Sequence, residues 1–391
     1  MNVKIEGFGI VSPIGDKNKI WEHICENESP ECEIIHQNGI NKCVSPIDTG
    51  NNNIDPKFFR RMDKQVVYEL MAGNEAVNGS ESYLSSLDRE KIGVFTGSLF
   101  AQLQFGMDQI RALISSGNKN EISMYTGVSF YYGAASGEMS ILISSKGENA
   151  SVCSGACSGI DCVIEGAKNI DRGVNSLLLS IGGENLDEAV ISDMMPKNNG
   201  TNSVFMPKKY FYSSGAVCVL LASNEKSGSS IEIISSRNVN DSESLFECRE
   251  SFSSVLEDSI VKCLSDAKLT VDSIDLVIPG INNTGEYDIA ELSVLAKLFH
   301  GKKNFIYIPT ALTGDMLSGS GNLKIYVASR CMLAGIIPAN NPDFYNQRVL
   351  DLYKAFFNWK NKQKELRYSL VIQRDIVGGR ISLLLIKNNR I

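Results

Sequence analysis

Between Val152 and Gly159 the chain reads VCSGACSG, two thiols and two hydroxyls interleaved with residues small enough to allow a sharp turn. Val152 and the residues before it read as the end of a strand. After the turn, Ile160, Val163, Ile164, Ala167 and Ile170 recur at spacings of three and four, which predicts a helix with one buried face. Gly173 stands where such a helix ends, and Leu177-Leu178-Leu179 opens a buried strand. A strand, a tight turn and a helix form a nucleophile elbow, in which the side chain at the turn is held at the positive end of the helix dipole. In an enzyme, an elbow of this kind carries a reactive Ser or Cys.

The frame around this elbow is legible in outline. Val3 to Gly15 predicts a strand and loop, and a helix begins near Asp16 with Trp21 in it. Residues 26–54 are polar and irregular and predict a surface excursion. Lys64 to Asn78 predicts the first long helix, and Ile92 to Gly97 a strand. Residues 104–116 predict a helix with Met107, Ile110 and Ile114 on one face, read either as core or as the lining of a tunnel. Two hairpins are expected. In one, Val217 to Leu221 turns around Ser227-Gly228 into Ile231 to Ile234. In the other, Tyr368 to Gln373 turns near Gly378-Gly379 into Ile381 to Ile386. Strands alternating with helices, each half closing on a hairpin, predict a mixed sheet covered by helices.

A chain of 391 residues is long enough for one two-lobed domain or two domains with sizeable cores. Its net charge of -7 argues against nucleic acid or an anionic membrane surface as partner. No apolar run approaches the roughly 20 residues of a membrane span. The N-terminus also lacks the basic and apolar regions of a signal peptide, so a cytoplasmic location is expected. The ten cysteines form no CxxC pair and are expected to be reduced structural thiols, with Cys153, Cys157 and Cys162 in or beside a buried elbow. No metal or cofactor is predicted.

The elbow resembles that of the β-ketoacyl synthases, or ketosynthases, which typically reads Gly-Pro-x-x-x-Val-x-Thr-Ala-Cys-x-Ser-Gly-Leu. Gly147, Val152, Ser154, Ser158-Gly159 and Ile160 fall into register with it without a gap. The opening strand, the segment from Phe58 to Asp63 and residues 121–147 are also similar to the family. The block from Phe205 to Ser223 resembles its Arg-Pro-Phe-Asp to Gly-Glu-Gly-Ala stretch, with Ser214 in place of the glutamate. The resemblance implies an α/β, thiolase-like fold of five αβαβα layers built from two similar halves, here residues 1–225 and 226–391.

That register puts Ala156 at the position of the nucleophilic cysteine. The family's His-Gly-Thr-Gly-Thr is matched by Asn282-Asn283-Thr284-Gly285-Glu286, and its Lys-Ser-x-x-Gly-His by the segment beginning at Thr310, with Asp315 at the second histidine. Decarboxylative condensation needs a thiolate, and donors for the thioester oxyanion and the enolate. A methyl group forms no thioester. Asp315, if ionised, would repel an enolate, whereas Asn282 could still donate through its amide. None of the three histidines, His23, His36 and His300, falls on a motif, and His300 is expected to cap a helix C-terminus. Cys157 is read as a buried structural thiol; a turn one residue shorter would make it the nucleophile instead.

A ketosynthase scaffold without its catalytic set resembles the chain length factors (ketosynthase-β subunits) of type II polyketide synthases. Their elbow, Val-Thr-Gly-Thr-x-Ala-Gly-Gly-Leu-Asp, is similar to Val152 to Asp161. The resemblance implies a non-condensing subunit in a heterodimer with a catalytic ketosynthase. An acyl carrier protein would deliver units on its phosphopantetheine, and an acyl tunnel would be shared across the interface. Met107, Ile110 and Ile114 would line that tunnel, and Tyr125-Thr126 would reach toward the partner. Ala156 departs from the glutamine common in those subunits, which removes the group to which a decarboxylase role is assigned. Three alternatives stay open: condensation through Cys157, malonyl decarboxylation, and a scaffold that only stabilises its partner.

Overall fold

The computed structural model describes residues 3–28, 32–37, 40–49, 54–55, 61–78, 87–186, 203–206, 209–225, 227–245 and 247–391. Nine strands carry the architecture. They are β1 (Val3–Val11), β2 (Ile92–Gly97), β3 (Asn149–Val152), β4 (Leu177–Glu184), β5 (Gly215–Ser223), β6 (Ile231–Asn240), β7 (Leu276–Ile278), β8 (Tyr368–Arg374) and β9 (Arg380–Asn388). Their hydrogen-bonded order is β3-β2-β4-β5-β1-β6-β9-β8-β7. In the first half β2 runs parallel to β3 and β4, and β5 is antiparallel to β4 and β1. The second half repeats this pattern. There β8 is parallel to β7 and antiparallel to β9, β9 is antiparallel to β6, and a parallel bridge between Val277 and Ile306 stands where β3 stands in the first. The halves meet through the pairs Val3–Ile233 and Lys4–Glu232.

Helices complete the layers. In chain order they include α1 (Lys17–Glu26), α2 (Lys64–Asn78), α3 (Leu103–Ser116), α4 (Ala134–Leu142), α5 (Ser158–Asp171), α6 (Glu250–Asp266), α7 (Glu286–Leu298) and α8 (Ser318–Ala334). α2 and α4 cover the outer face of the first half, α6 and α7 that of the second, and α5 and α8 lie against each other between them. Val66, Leu70, Ile181 and Leu220 fill the space under α2. Val163, Ile164, Leu323 and Val327 fill the centre, and Phe252, Ile260, Leu292 and Leu383 the far side. The result is the five-layered αβαβα arrangement that the family resemblance implied.

The apolar stripe of α5 behaves as its spacing predicts. Ile160, Val163, Ile164, Ala167 and Ile170 are all buried, and each of the larger ones contributes about 1.5–3 kcal/mol of burial. The start of α5 is pressed against α8 backbone to backbone: a Cβ on Gly159 would lie 2.1 Å from the Ser318 carbonyl oxygen and 3.1 Å from the Gly182 Cα. No side chain fits there, which is why both sequence positions are glycine.

Two expectations are corrected. β5 and β6 are not a hairpin, because β1 lies between them and pairs with both. Val3, Ile5 and Ile10 bring a third buried strand from the far end of the chain, and its eight residue pairs with β5, interrupted only at Glu6, displace the local pairing. The second hairpin does form, as β8 and β9, with Gly378 and Gly379 at φ of 77° and 74° in its turn. Residues 26–54 are not wholly irregular: Ile34–Gln37 and Ile40–Cys43 pair antiparallel, and Cys43 donates to the Tyr212 carbonyl at 2.9 Å. Within the segment likened to the family, Phe58, Phe59 and Arg60 lie outside the described residues. Among the described residues, no helix is long and apolar enough to cross a membrane.

Candidate functional site

β3 delivers the chain to the elbow. Gly155, at φ +68°, turns it sharply enough for Ala156 and Cys157 to precede the first turn of α5. The Ser158 hydroxyl donates to the Gly155 carbonyl at 2.6 Å and accepts from the Ser154 N–H at 2.9 Å, which fixes the turn. Ala156 sits at the apex, 1% exposed. Its N–H donates to Asp375 Oδ1 at 2.7 Å, and its carbonyl accepts from Gln373 Nε2 at 3.3 Å. Cys157 points inward. It is fully buried, its Sγ lies 3.6 Å from the Gln373 carbonyl, and burial, reinforced by Asp161 and Asp375, holds its thiol well above the usual range. A thiol kept neutral in this way is a poor nucleophile. Cys162 is buried as expected; Cys153 is not, and stands exposed beside the end of β3.

The positions matched to the family's histidines are occupied by committed side chains. Asn282 is buried, its Nδ2 donates to the Arg374 carbonyl at 3.3 Å, and its Oδ1 accepts from the Thr284 hydroxyl at 2.7 Å. The amide that the sequence left available as a donor is therefore engaged. Behind it, Arg374 is fully buried between Glu291, at 2.7 Å from Nε, and Asp288. Asp315 accepts from the Leu317 N–H at 2.7 Å, from the Ser320 hydroxyl at 2.6 Å and from Tyr210. Thr310 opens a four-residue helix and is buried, with no hydrogen-bond partner for its Oγ1 among the described residues. The end of β8 is the common thread: Gln373 and Asp375 hold Ala156, while Arg374 holds Asn282. Lys324, buried in α8, donates to Gln373 Oε1 at 2.8 Å, and burial lowers its pKa to about 8.

Sequence reasoning missed Arg374, Asp375 and Lys324. The signal was present, since Gln373-Arg374-Asp375 interrupts an otherwise apolar strand, a place where charge is retained only if paired. Ser214 accepts from the Leu186 N–H at 2.9 Å and supplies no carboxylate at that position. The expected His300 cap is also displaced: α7 is closed by the N–H of Phe299, and His300 is exposed.

Glu184, at the end of β4, lies just behind the elbow. It accepts from Ser318 at 2.7 Å, from Ser98 at 3.1 Å and from the Leu99 N–H. Burial nonetheless lifts its pKa from 4.5 to about 7. The folded chain therefore holds a proton between these values that the unfolded chain releases, and the associated stability is lost as pH rises through about 7. A shift of this size corresponds to about 3 kcal/mol. Urea unfolding is expected to give lower stability at pH 8 than at pH 5, and Glu184→Gln to flatten that dependence; an unchanged slope in the variant would assign it to other groups.

The face around α3 departs from the core reading. Ile110 is 39% and Ile114 78% exposed, and Met107 is half-buried. The helix is tied at its start, where the Phe105 N–H donates to Asp63 Oδ2 at 2.8 Å and Gln102 Nε2 to the Val128 carbonyl at 2.9 Å, and in its middle, where Gln109 Oε1 accepts from the Ser123 N–H at 2.8 Å. Tyr125, Met124, Tyr131 and Ile141 are exposed as well, and β3, hydrogen-bonded to β2, stands at the end of the sheet among the described residues.

Two similar halves that together make five αβαβα layers, with an elbow where they meet, define a thiolase-like scaffold. The family described as "Beta-ketoacyl synthase, N-terminal domain" matches residues 2–225, and the chain belongs to that family. It is 26% identical over 200 residues to "3-oxoacyl-[acyl-carrier-protein] synthase 2" of Staphylococcus aureus strain MRSA252, a match covering 47% of this chain and 46% of that one. The chain thus spans about half the length of the first curated relatives it matches. Over 361 residues it is 22% identical to "Actinorhodin polyketide putative beta-ketoacyl synthase 2" of Streptomyces coelicolor, covering 86% and 87% of the two chains. Among solved structures it resembles "The ishigamide ketosynthase/chain length factor", with a TM-score of 0.85, 15% identity, and coverage of 99% and 98%. It also resembles the ApeO ketosynthase with its chain length factor ApeC from Xenorhabdus doucetiae, with a TM-score of 0.80, 14% identity, and coverage of 99% and 98%. These structural likenesses establish the fold.

Proposed function

We propose that this chain is a non-condensing ketosynthase-like subunit, built from halves at 1–225 and 226–391. It pairs with a catalytic ketosynthase and helps set the length of an acyl chain grown on an acyl carrier protein. The observation that carries this reading is the combination of a methyl group at the elbow apex with an uncovered apolar face and sheet edge beside it. Ala156, Asn282, Thr310 and Asp315 supply neither thiolate nor imidazole, so the partner would bring both. The relative named for actinorhodin polyketide synthesis and the neighbours named as ketosynthase/chain length factor pairs support a system of this kind. Ten free cysteines are consistent with a reducing, cytoplasmic setting. The competing reading, condensation through Cys157, is opposed by the burial of that thiol.

Co-expression with a catalytic ketosynthase and a carrier protein, followed by mass spectrometry of carrier-bound products, tests the reading. The chain alone is expected to give no elongated product and the pair a defined one; elongation by the chain alone, lost in Cys157→Ala, would reverse it. Within the pair, Met107, Ile110 and Ile114 are proposed as tunnel wall, with Tyr125 at its rim. A wall packed to interior density discriminates at about 0.8 kcal/mol per methylene. Ile110→Phe is therefore expected to shorten the product by at least one extension unit, and Ile110→Ala to lengthen it. A change in yield without a change in length would leave only a scaffold role.

A further inference from the structure

We propose that the Asp375 carboxylate is a built-in occupant of the elbow's oxyanion position. The site is then closed to a thioester carbonyl twice over, by the missing sulfur and by this carboxylate. Where a nucleophile's own backbone N–H and a second donor bracket the reacting carbonyl, they point to where its oxygen becomes negative. Here the apex N–H of Ala156 donates to Asp375 Oδ1 at 2.7 Å. The apex donor is thus already engaged by an internal carboxylate from a segment 219 residues away in sequence. A carboxylate oxygen and a tetrahedral oxyanion ask for the same donors, so both cannot be held at once.

The carboxylate is also seated sterically. It lies over the Cα of Gly155, where a Cβ would come within 2.1 Å of Oδ1, 2.4 Å of Cγ and 2.7 Å of Oδ2. Its neighbours in the chain hold it there: Arg374 is locked by Glu291 and Asp288, and Gln373 by Lys324 and the Ala156 carbonyl. Asp375 is 8% exposed, and no rearrangement of a surface side chain would remove it.

The inference rests on the reading of Ala156 as the vacated nucleophile position, and its test separates the two. Three full-length proteins, Ala156→Cys, Asp375→Ala and the double variant, are incubated with hexanoyl-N-acetylcysteamine, a simple acyl thioester. In the step assayed, the sulfur introduced at position 156 attacks the carbonyl carbon, a C–S bond forms, the bond to the cysteamine sulfur breaks, and the proton lost by the attacking thiol ends on the departing one. Acylation is followed by intact mass and located by peptide mapping, which separates position 156 from Cys153 and Cys157. The double variant is expected to acylate at position 156 at least tenfold faster than Ala156→Cys alone. Equal rates would overturn the proposal, since the carboxylate would then obstruct nothing. If thermal melting shows that Asp375→Ala does not fold, Asp375→Ser in the same pair gives the same comparison. Acyl label on Cys157 in the wild-type chain would instead contradict the non-condensing reading, whatever the ratio at position 156.

Discussion

Ile114→Asp is expected to weaken association with the catalytic ketosynthase by roughly a hundredfold or more, while shifting the stability of the isolated chain by no more than about 0.5 kcal/mol. Ile114 is 78% exposed, so in the free chain a carboxylate there stays in water and strains nothing. In the proposed heterodimer the same side chain is covered by the partner. An unpaired buried charge costs about 3–5 kcal/mol, and every 1.4 kcal/mol is a factor of about ten in Kd. Isothermal titration or analytical ultracentrifugation measures the affinity, and urea unfolding controls for the fold. Cys153 offers an independent check, because it is exposed next to the free edge of β3. It should alkylate readily in the isolated chain and be protected in the pair. Unaltered affinity together with an unprotected Cys153 would move the interface away from this face.

Arg374→Met should cost about 3–5 kcal/mol of unfolding free energy. The guanidinium is the shared partner of Asp288 and Glu291, all three with fully buried side chains, and it stacks near the rings of Phe252 and Tyr287. Removing it leaves two carboxylates in the interior with no cation. The penalty comes from those orphaned charges more than from lost attraction, so adding Asp288→Asn and Glu291→Gln should recover part of the loss. Urea midpoints of the single and triple variants decide this: a single variant that loses less than about 1 kcal/mol would show that the carboxylates take up protons at little cost. The same change would loosen Asn282 and the end of β8, because Arg374 donates to the Asn282 side chain and accepts from it through its own carbonyl. The ion cluster thus fixes one of the vacated catalytic positions by chemistry unrelated to catalysis.

Buried carboxylates recur through this centre. Glu184, Asp288, Asp315 and Asp375 each lie close to a position matched to the family's catalytic set, and each is held by backbone N–H groups, hydroxyls or a cation. Charges so placed specify where neighbouring backbone must sit, at a cost in desolvation. A ketosynthase centre needs donors free to meet a substrate oxygen; here those donors are already engaged by the chain itself.

The five-layered architecture and the place of Ala156 at the apex came from the family resemblance, whereas local spacing determined the elbow, the apolar stripe of α5 and the second hairpin. Each of these last three depends on residues within a turn or two of one another, where periodicity and small-residue turns act directly. Only the tertiary structure decided that β1 separates β5 from β6, because the competing strand comes from over 200 residues away. It also decided that Ile110 and Ile114 on the apolar face of α3 stand exposed. An amphipathic pattern states that one face prefers burial, and whether the same chain or another supplies the cover depends on what packs nearby. The roles of Asn282, Asp315 and Asp375 belong to the same class: a polar residue's partners are set by long-range contact, and no spacing along the chain announces that a carboxylate at position 375 will meet the N–H of residue 156.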